Sequence, residues 1–243
     1  MIYAVYGFVF GLLIPYISRR FAKFMPATMA YALVSLCKFS KKVTSEKWEK
    51  SLTYTKLRRE FFYRSLLCGI VTAAVSYFAY AHFGSRGLWW QLYFIWSLLL
   101  LAEIDYRMFL LPDILTVPLL ILGFSASCWG WGHISGAESA LGAVGGYFLP
   151  VLVSLLFVWK NKDAFGGGDI KLMAAAGLFL GWQNTLLAMF FGIVFGGMYG
   201  IYLLAAKKAG KKDHFAFGPF LCAGIVIAML FGGPVLEWYC AFL

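Results

Sequence analysis

The chain has 243 residues, of which 62% are hydrophobic and 13% are charged, and its formal net charge is +10. A soluble globular domain carries roughly 25% charged residues, so this composition excludes that class and predicts an all-α polytopic membrane protein. A transmembrane β-barrel is excluded because the apolar segments are continuous and lack a period of two.

Eight apolar segments approach the roughly 20 residues that a membrane-spanning helix needs. They cover about 1–18, 65–83, 88–104, 114–132, 138–159, 170–184, 186–206 and 216–238. The sixth and seventh are divided at residues 182–184. The first segment has no basic start and no small-residue cleavage site, so it is interpreted as an uncleaved span. The prediction is one membrane domain, 1–243.

A basic segment, 19–64, follows the first span and forms an insert in this domain. If this insert is cytoplasmic and the spans alternate, every Lys and Arg except Arg86 lies on the cytoplasmic side, as the positive-inside rule requires. Topology and contact with anionic lipid therefore account for the positive charge. No nucleic-acid partner is predicted. The predicted partner is the lipid bilayer.

Cysteine and histidine are too scattered to predict a metal site. No two of the five cysteines form a CxxC pair, and the insert contains only Cys37. The predicted topology places His82 and His133 outside and His214 inside, so a histidine cluster is not available. Several glycines inside predicted spans recur every four residues, which predicts close helix packing in lipid. They are Gly142 and Gly146, Gly177 and Gly181, and Gly192, Gly196 and Gly200.

Two aspartates are the candidate catalytic residues. Five of the eleven acids fall at the predicted inner boundary of the membrane: Glu103, Asp105, Asp113, Asp163 and Asp169. Asp105 ends the third span and Asp169 begins the sixth, so helices of opposite direction can bring them to one depth. Carboxyl groups about 3 Å apart share a proton. One can then activate a water molecule while the other donates a proton to a scissile carbonyl.

The other boundary acids have simpler interpretations. Glu103 lies roughly 200° around the helix from Asp105, and Asp163 lies between lysines as a solvated loop charge. Asp113 follows Pro112 at a predicted helix start, where an acid favours the helix dipole. Gly166, Gly167 and Gly168 precede Asp169. They are interpreted either as a connector or as a loop that permits positive φ and lets an extended substrate approach.

Three ordered motifs resemble the type IV prepilin peptidases, the membrane aspartic proteases with a GxGD signature. They are IDYRMFLLPDILTVPLL at 104–120, GGGDIKLMAAAG at 166–177 and FGPF at 217–220. The resemblance implies cleavage of a short basic leader from type IV prepilins or pseudopilins, after a glycine, at the cytoplasmic face of the inner membrane. It implies that Asp105 and Asp169 are catalytic. Gly166, Gly167, Gly168, Lys171 and Asp113 are candidate substrate-binding residues.

The resemblance also concerns cofactors. Many members of the family methylate the new N-terminus with S-adenosylmethionine, and bifunctional members carry two zinc-binding CxxC pairs in the first insert. Because the insert has one cysteine, zinc is not expected here, and proteolysis needs no cofactor. Methylation stays open, and S-adenosylmethionine is a cofactor only if that step is retained. Two alternatives stay open: a proton-coupled transporter and an inactive factor of pilus or secretion assembly. The sequence selects neither the individual substrate nor the oligomeric state.

Overall fold

A computed structural model describes residues 1–24, 54–84, 87–129, 134–158, 166–206 and 215–242, and the regular structure in them is helical. Contacts divide the chain into two compact units, 1–74 and 75–243. The described part contains seven helices: α1 (Ile2–Phe24), α2 (Tyr54–Phe83), α3 (Leu88–Met108), α4 (Asp113–Cys128), α5 (Gly136–Val158), α6 (Gly167–Ala205) and α7 (Gly218–Cys240).

The prediction of an all-α polytopic membrane protein is confirmed. Five helical segments among the described residues are long and apolar enough to cross a membrane: Ile2–Phe21, Phe61–Phe83, Gly136–Leu155, Gly167–Ala205 and Gly218–Cys240. The predicted third span is helical as α3, and the predicted fourth is the shorter apolar helix α4. The count of eight spans is not confirmed.

The predicted sixth and seventh spans form one element, α6, with a break inside it. Gly181 has φ 73° and ψ 174°, and helix resumes directly after it. The predicted division at 182–184 was therefore wrong by a few residues. Side-chain donors satisfy carbonyl groups beside the break: Ser139 Oγ donates to the Leu178 oxygen at 2.7 Å and Thr185 Oγ1 to the Gly181 oxygen at 2.5 Å. These bonds explain how a buried helix tolerates the interruption.

In unit 75–243, α6 packs against α4, α5 and α7, and α3 packs against α7. Glycine makes the contact between α5 and α6 close: a Cβ at Gly177 would collide with the carbonyl oxygen of Gly142, and one at Gly146 with that of Met173. A Cβ at Gly192 would lie 2.9 Å from Leu221 Cδ2 of α7. The close packing expected at the spaced glycines is confirmed at Gly142, Gly146, Gly177, Gly192 and Gly196, whereas a Cβ at Gly181 or Gly200 would meet only ordinary contacts.

Unit 1–74 contains α1 and the part of α2 up to residue 74, which pack against each other. A Cβ at Gly11 would lie 2.6 Å from the Cys68 carbonyl oxygen, and the Arg19 guanidinium lies 4.2 Å from the centre of the Phe61 ring. Both ends of the predicted insert 19–64 are helical: α1 extends through residue 24, and α2 begins at residue 54. Residues 25–53, including Cys37, lie outside the described residues.

Candidate active site

Asp105 lies in the last turn of α3, and only 6% of it is exposed. Its Oδ2 atom accepts a hydrogen bond from the backbone N–H of Gly218 at 2.9 Å. Gly218 is the first residue of α7, so a carboxyl group at one helix end is held by the start of another helix. The first N–H groups of a helix have no partner within it and carry the positive end of its dipole. They therefore suit a buried carboxylate.

Asp169 lies in the first turn of α6 and is partly buried. Its Oδ2 atom accepts a hydrogen bond from the backbone N–H of Gly166 at 3.3 Å, which closes a capping interaction at the start of the helix. A side chain at the third helical position commonly reaches back to the N-cap in this way. The same interaction fixes the direction of the carboxyl group.

The structure brings the two aspartates together. Their carboxyl groups interact electrostatically, and the Cys222 thiol interacts electrostatically with both of them. Cys222 is buried in α7, one turn after Gly218. Two acids 64 positions apart in sequence therefore lie within electrostatic range of each other and of Cys222. In such an arrangement each carboxylate disfavours ionisation of the other.

The three glycines before Asp169 do not form the expected loop. Gly166 is the N-cap with φ −71°, while Gly167 and Gly168 are already helical. Positive φ is found among the described glycines only at 84, 87 and 181, so the freedom that glycine permits is not used at 166–168. A Cβ at Gly168 would lie 2.8 Å from Leu111 Cβ, whereas a Cβ at Gly167 would meet nothing within 4 Å.

Lys171 and Asp113 form an ion pair at the edge of the site. Lys171 Nζ donates to Asp113 Oδ1 at 2.7 Å and to Oδ2 at 2.8 Å, and this contact joins the starts of α6 and α4. Arg107 donates from Nε to Glu103 Oε1 at 2.6 Å on α3. Arg107 and Lys171, which follow Asp105 and Asp169 by two positions, are thus paired with other acids. Asp163 lies outside the described residues.

Gly218 is the residue of this site whose role the sequence did not reveal. A Cβ at this position would lie 2.6 Å from Asp105 Oδ2. The only sequence signal was its place in the FGPF motif at the start of an apolar run. That signal does not say which side chain approaches the glycine, because the partner lies 113 positions away.

The donors present do not fit a zinc site. Among the described residues no group of three or more His, Cys, Asp and Glu side chains is arranged to hold a metal ion. In the sequence as a whole the cysteines lack CxxC spacing, and Cys37 lies outside the described part. No step of the chemistry below uses a metal.

The sequence is similar to known proteins. Residues 92–201 match the model of the type IV leader peptidase family. The chain is 36% identical over 147 residues to a prepilin leader peptidase/N-methyltransferase of Aeromonas salmonicida, covering 59% of this chain and 50% of that protein. The protein of the same name from Pseudomonas aeruginosa is 34% identical over 181 residues, which are 72% of this chain and 61% of that protein.

A third protein of that name, from Legionella pneumophila, is 33% identical over 171 residues, covering 70% of this chain and 59% of that protein. The chain thus spans about half to three fifths of the length of these relatives. No solved structure matches. The matched segment 92–201 contains Asp105, Asp113 and the glycines before Asp169. The resemblance to the type IV leader peptidase family, seen first in three short motifs, is therefore confirmed.

Proposed function

We propose that the chain is a membrane aspartic endopeptidase that removes the leader peptide from type IV prepilin or pseudopilin substrates. The observation that carries the proposal is the convergence of Asp105 and Asp169, each held by a backbone N–H at a helix start. The family match supports the same activity, and the relatives' names supply the substrate class. A proton-coupled transporter gains no support from these observations.

The proposed chemistry follows from the two anchored carboxyl groups. Backbone donors hold the Oδ2 atom of each aspartate, and in this mechanism the Oδ1 atoms face water and substrate. One carboxylate takes a proton from water as the water oxygen attacks the scissile carbonyl. The other carboxyl group, protonated, donates to the carbonyl oxygen. Collapse of the tetrahedral intermediate returns a proton to the leaving nitrogen and separates leader from mature protein, without a covalent enzyme intermediate.

The substrate's backbone approaches along the start of α6 in this proposal. Gly167 is exposed and has open space where a side chain would be, so it is the glycine of 166–168 with room for a neighbouring chain. Gly166 and Gly168 border this approach. Lys171 and Asp113 meet the substrate as an ion pair, since each already binds the other.

The site belongs at the cytoplasmic face of the inner membrane in this proposal. Asp105 ends one apolar helix and Asp169 begins another, so both acids lie near a membrane boundary. Placing the basic segments in the cytoplasm puts that boundary on the cytoplasmic side. The scissile bond adjoins the substrate's own apolar helix, and that helix enters laterally from lipid.

Cleavage is tested by incubating membranes that contain the protein with a prepilin-like substrate, consisting of a basic leader, a glycine and an apolar helix. Mass spectrometry then reads the cut. We expect wild type to cut after the glycine and both Asp105→Asn and Asp169→Asn to lose cleavage at unchanged protein level. Glu237→Gln, which removes an exposed acid near the end of α7, is the matched control and should cleave normally. Full cleavage by either Asn variant would refute the mechanism.

The same products report the second activity in the relatives' names. We propose proteolysis without methylation, because the insert lacks the cysteine pairs described above. Adding a labelled S-adenosylmethionine methyl donor should leave the mature product unlabelled. A labelled product would assign N-methylation to this chain and would contradict that proposal.

A further inference from the structure

Asp105 needs a donor from outside its own helix. It lies in the last turn of α3, where the negative end of the helix dipole disfavours a carboxylate. It is also 94% buried from solvent, since only 6% of it is exposed. A buried carboxyl group without a hydrogen-bond partner is costly, and the donor that the structure supplies is the Gly218 N–H at 2.9 Å.

The first turn of α7 has one backbone donor directed at Asp105. Proline at 219 has no N–H. The N–H groups of Phe220 and Leu221 donate to the Phe217 carbonyl oxygen, at 3.0 and 3.2 Å. The Gly218 N–H is therefore the donor of this turn that remains available to the Asp105 carboxyl group.

Glycine at 218 is also required by space. A Cβ there would lie 2.6 Å from Oδ2, 2.9 Å from Cγ and 3.1 Å from Cβ of Asp105. Asp105 has a short side chain on a packed helix and cannot withdraw without losing the hydrogen bond. Gly233, on the same helix, would place a Cβ with nothing within 4 Å. The close approach is thus a local property of position 218.

We propose that Gly218 is a positioning residue for the reaction: its N–H fixes the orientation of the Asp105 carboxyl group, and its missing side chain permits the approach. This inference rests on the proposed peptidase function. Gly218 touches Asp105 rather than substrate, so its replacement acts on the chemical step. Misplacing a catalytic group by about 1 Å can cost on the order of a hundredfold in rate.

Three alanine variants of α7 separate this role from helix packing. Gly218→Ala should lower kcat at least about tenfold, with KM nearly unchanged, and should alter the pH profile of kcat. Gly233→Ala should match wild type in both kinetics and thermal unfolding. Gly224→Ala places a Cβ against the Ala188 carbonyl oxygen, so it should lower stability while kcat per folded molecule is retained. Wild-type kcat and pH profile in folded Gly218→Ala would overturn the proposal.

A second measurement needs no substrate. If the Cβ at 218 collides with the Asp105 carboxyl group, combining Gly218→Ala with Asp105→Ala should restore the thermal stability that Gly218→Ala alone loses, even if that single variant folds poorly. If Gly218→Ala lowers thermal stability equally with and without the Asp105 side chain, the proposed contact is overturned. A wild-type protein that shows this coupling but cleaves no prepilin would refute the peptidase function while leaving the contact established, so the two failures are distinguishable.

Discussion

Replacing Asp113 by Asn and Lys171 by Gln, singly and together, tests whether these two side chains act as a pair. They are 58 positions apart in sequence and join the start of α4 to the start of α6. Asp169 lies two residues before Lys171, so the pair helps to hold the end of α6 that carries Asp169. Asn and Gln keep similar size and polarity while removing the charges.

The size of the effect follows from distance and exposure. Two unit charges 2.7 Å apart attract by about 1.5 kcal/mol in bulk water. The Lys171 and Asp113 side chains are 45% and 60% exposed, and exposed pairs contribute only about 0.2–1 kcal/mol in double-mutant cycles. Since about 1.4 kcal/mol corresponds to a factor of ten, each single replacement should lower kcat/KM by at most about fivefold.

The assay is leader cleavage by the four proteins of the cycle, with kcat/KM measured for each. If the two charges act through each other, the double variant should be no worse than the poorer single variant. A loss well above tenfold in one single variant, or losses that add in the double variant, would refute the pair interpretation. Either result would show that one side chain contacts the substrate independently.

Two glycine pairs and the single Gly181 give further predictions. Gly177→Ala forces a Cβ onto the Gly142 carbonyl oxygen and should lower the free energy of unfolding by at least about 1–3 kcal/mol. Gly145→Ala, where a Cβ has open space, should not lower it. Thermal unfolding in detergent measures both variants. Gly168→Ala should lower stability by pressing on Leu111, while Gly167→Ala should leave stability unchanged and raise KM for the prepilin. Gly181→Ala should cost about 1–3 kcal/mol through backbone strain, since φ 73° with ψ 174° is a conformation that essentially only glycine adopts. Its Cβ would meet only ordinary contacts of 3.7 Å or more, so strain alone accounts for the cost. Full stability in Gly177→Ala or in Gly181→Ala, or unchanged KM in Gly167→Ala, would contradict the respective argument.

The sequence predicted those features that depend on one segment at a time. Apolar length located the helices, and the ends of apolar runs selected Asp105 and Asp169 among eleven acids. Glycine spacing predicted which helix faces approach closely, and the Cβ collisions at Gly142 and Gly177 agree with that prediction. Each of these inferences needed only local periodicity and the cost of charge near hydrocarbon.

Features that depend on particular side-chain contacts, whether local or between distant segments, were not predictable in the same way. The run Gly166–Gly168 was interpreted either as a connector or as a loop that permits positive φ, but the Asp169 side chain caps Gly166 and the helix starts there. The break of α6 fell at Gly181 because Ser139, on another helix, satisfies a freed carbonyl group. The contact of Gly218 with Asp105 required the packing of α3 on α7.

Two helix starts converge on the carboxyl pair, and this explains how acidic groups are kept close together. The start of α7 presents the Gly218 N–H to Asp105, and the start of α6 presents the Gly166 N–H to Asp169. Each helix start carries a partial positive charge of about half a unit, so the two together oppose the repulsion between the acids. Lysine or arginine is not needed for this purpose, since Lys171 and Arg107 bind Asp113 and Glu103. Backbone donors fixed in helices do not move when a proton passes between the carboxyl groups, which makes them suitable supports for general acid–base chemistry.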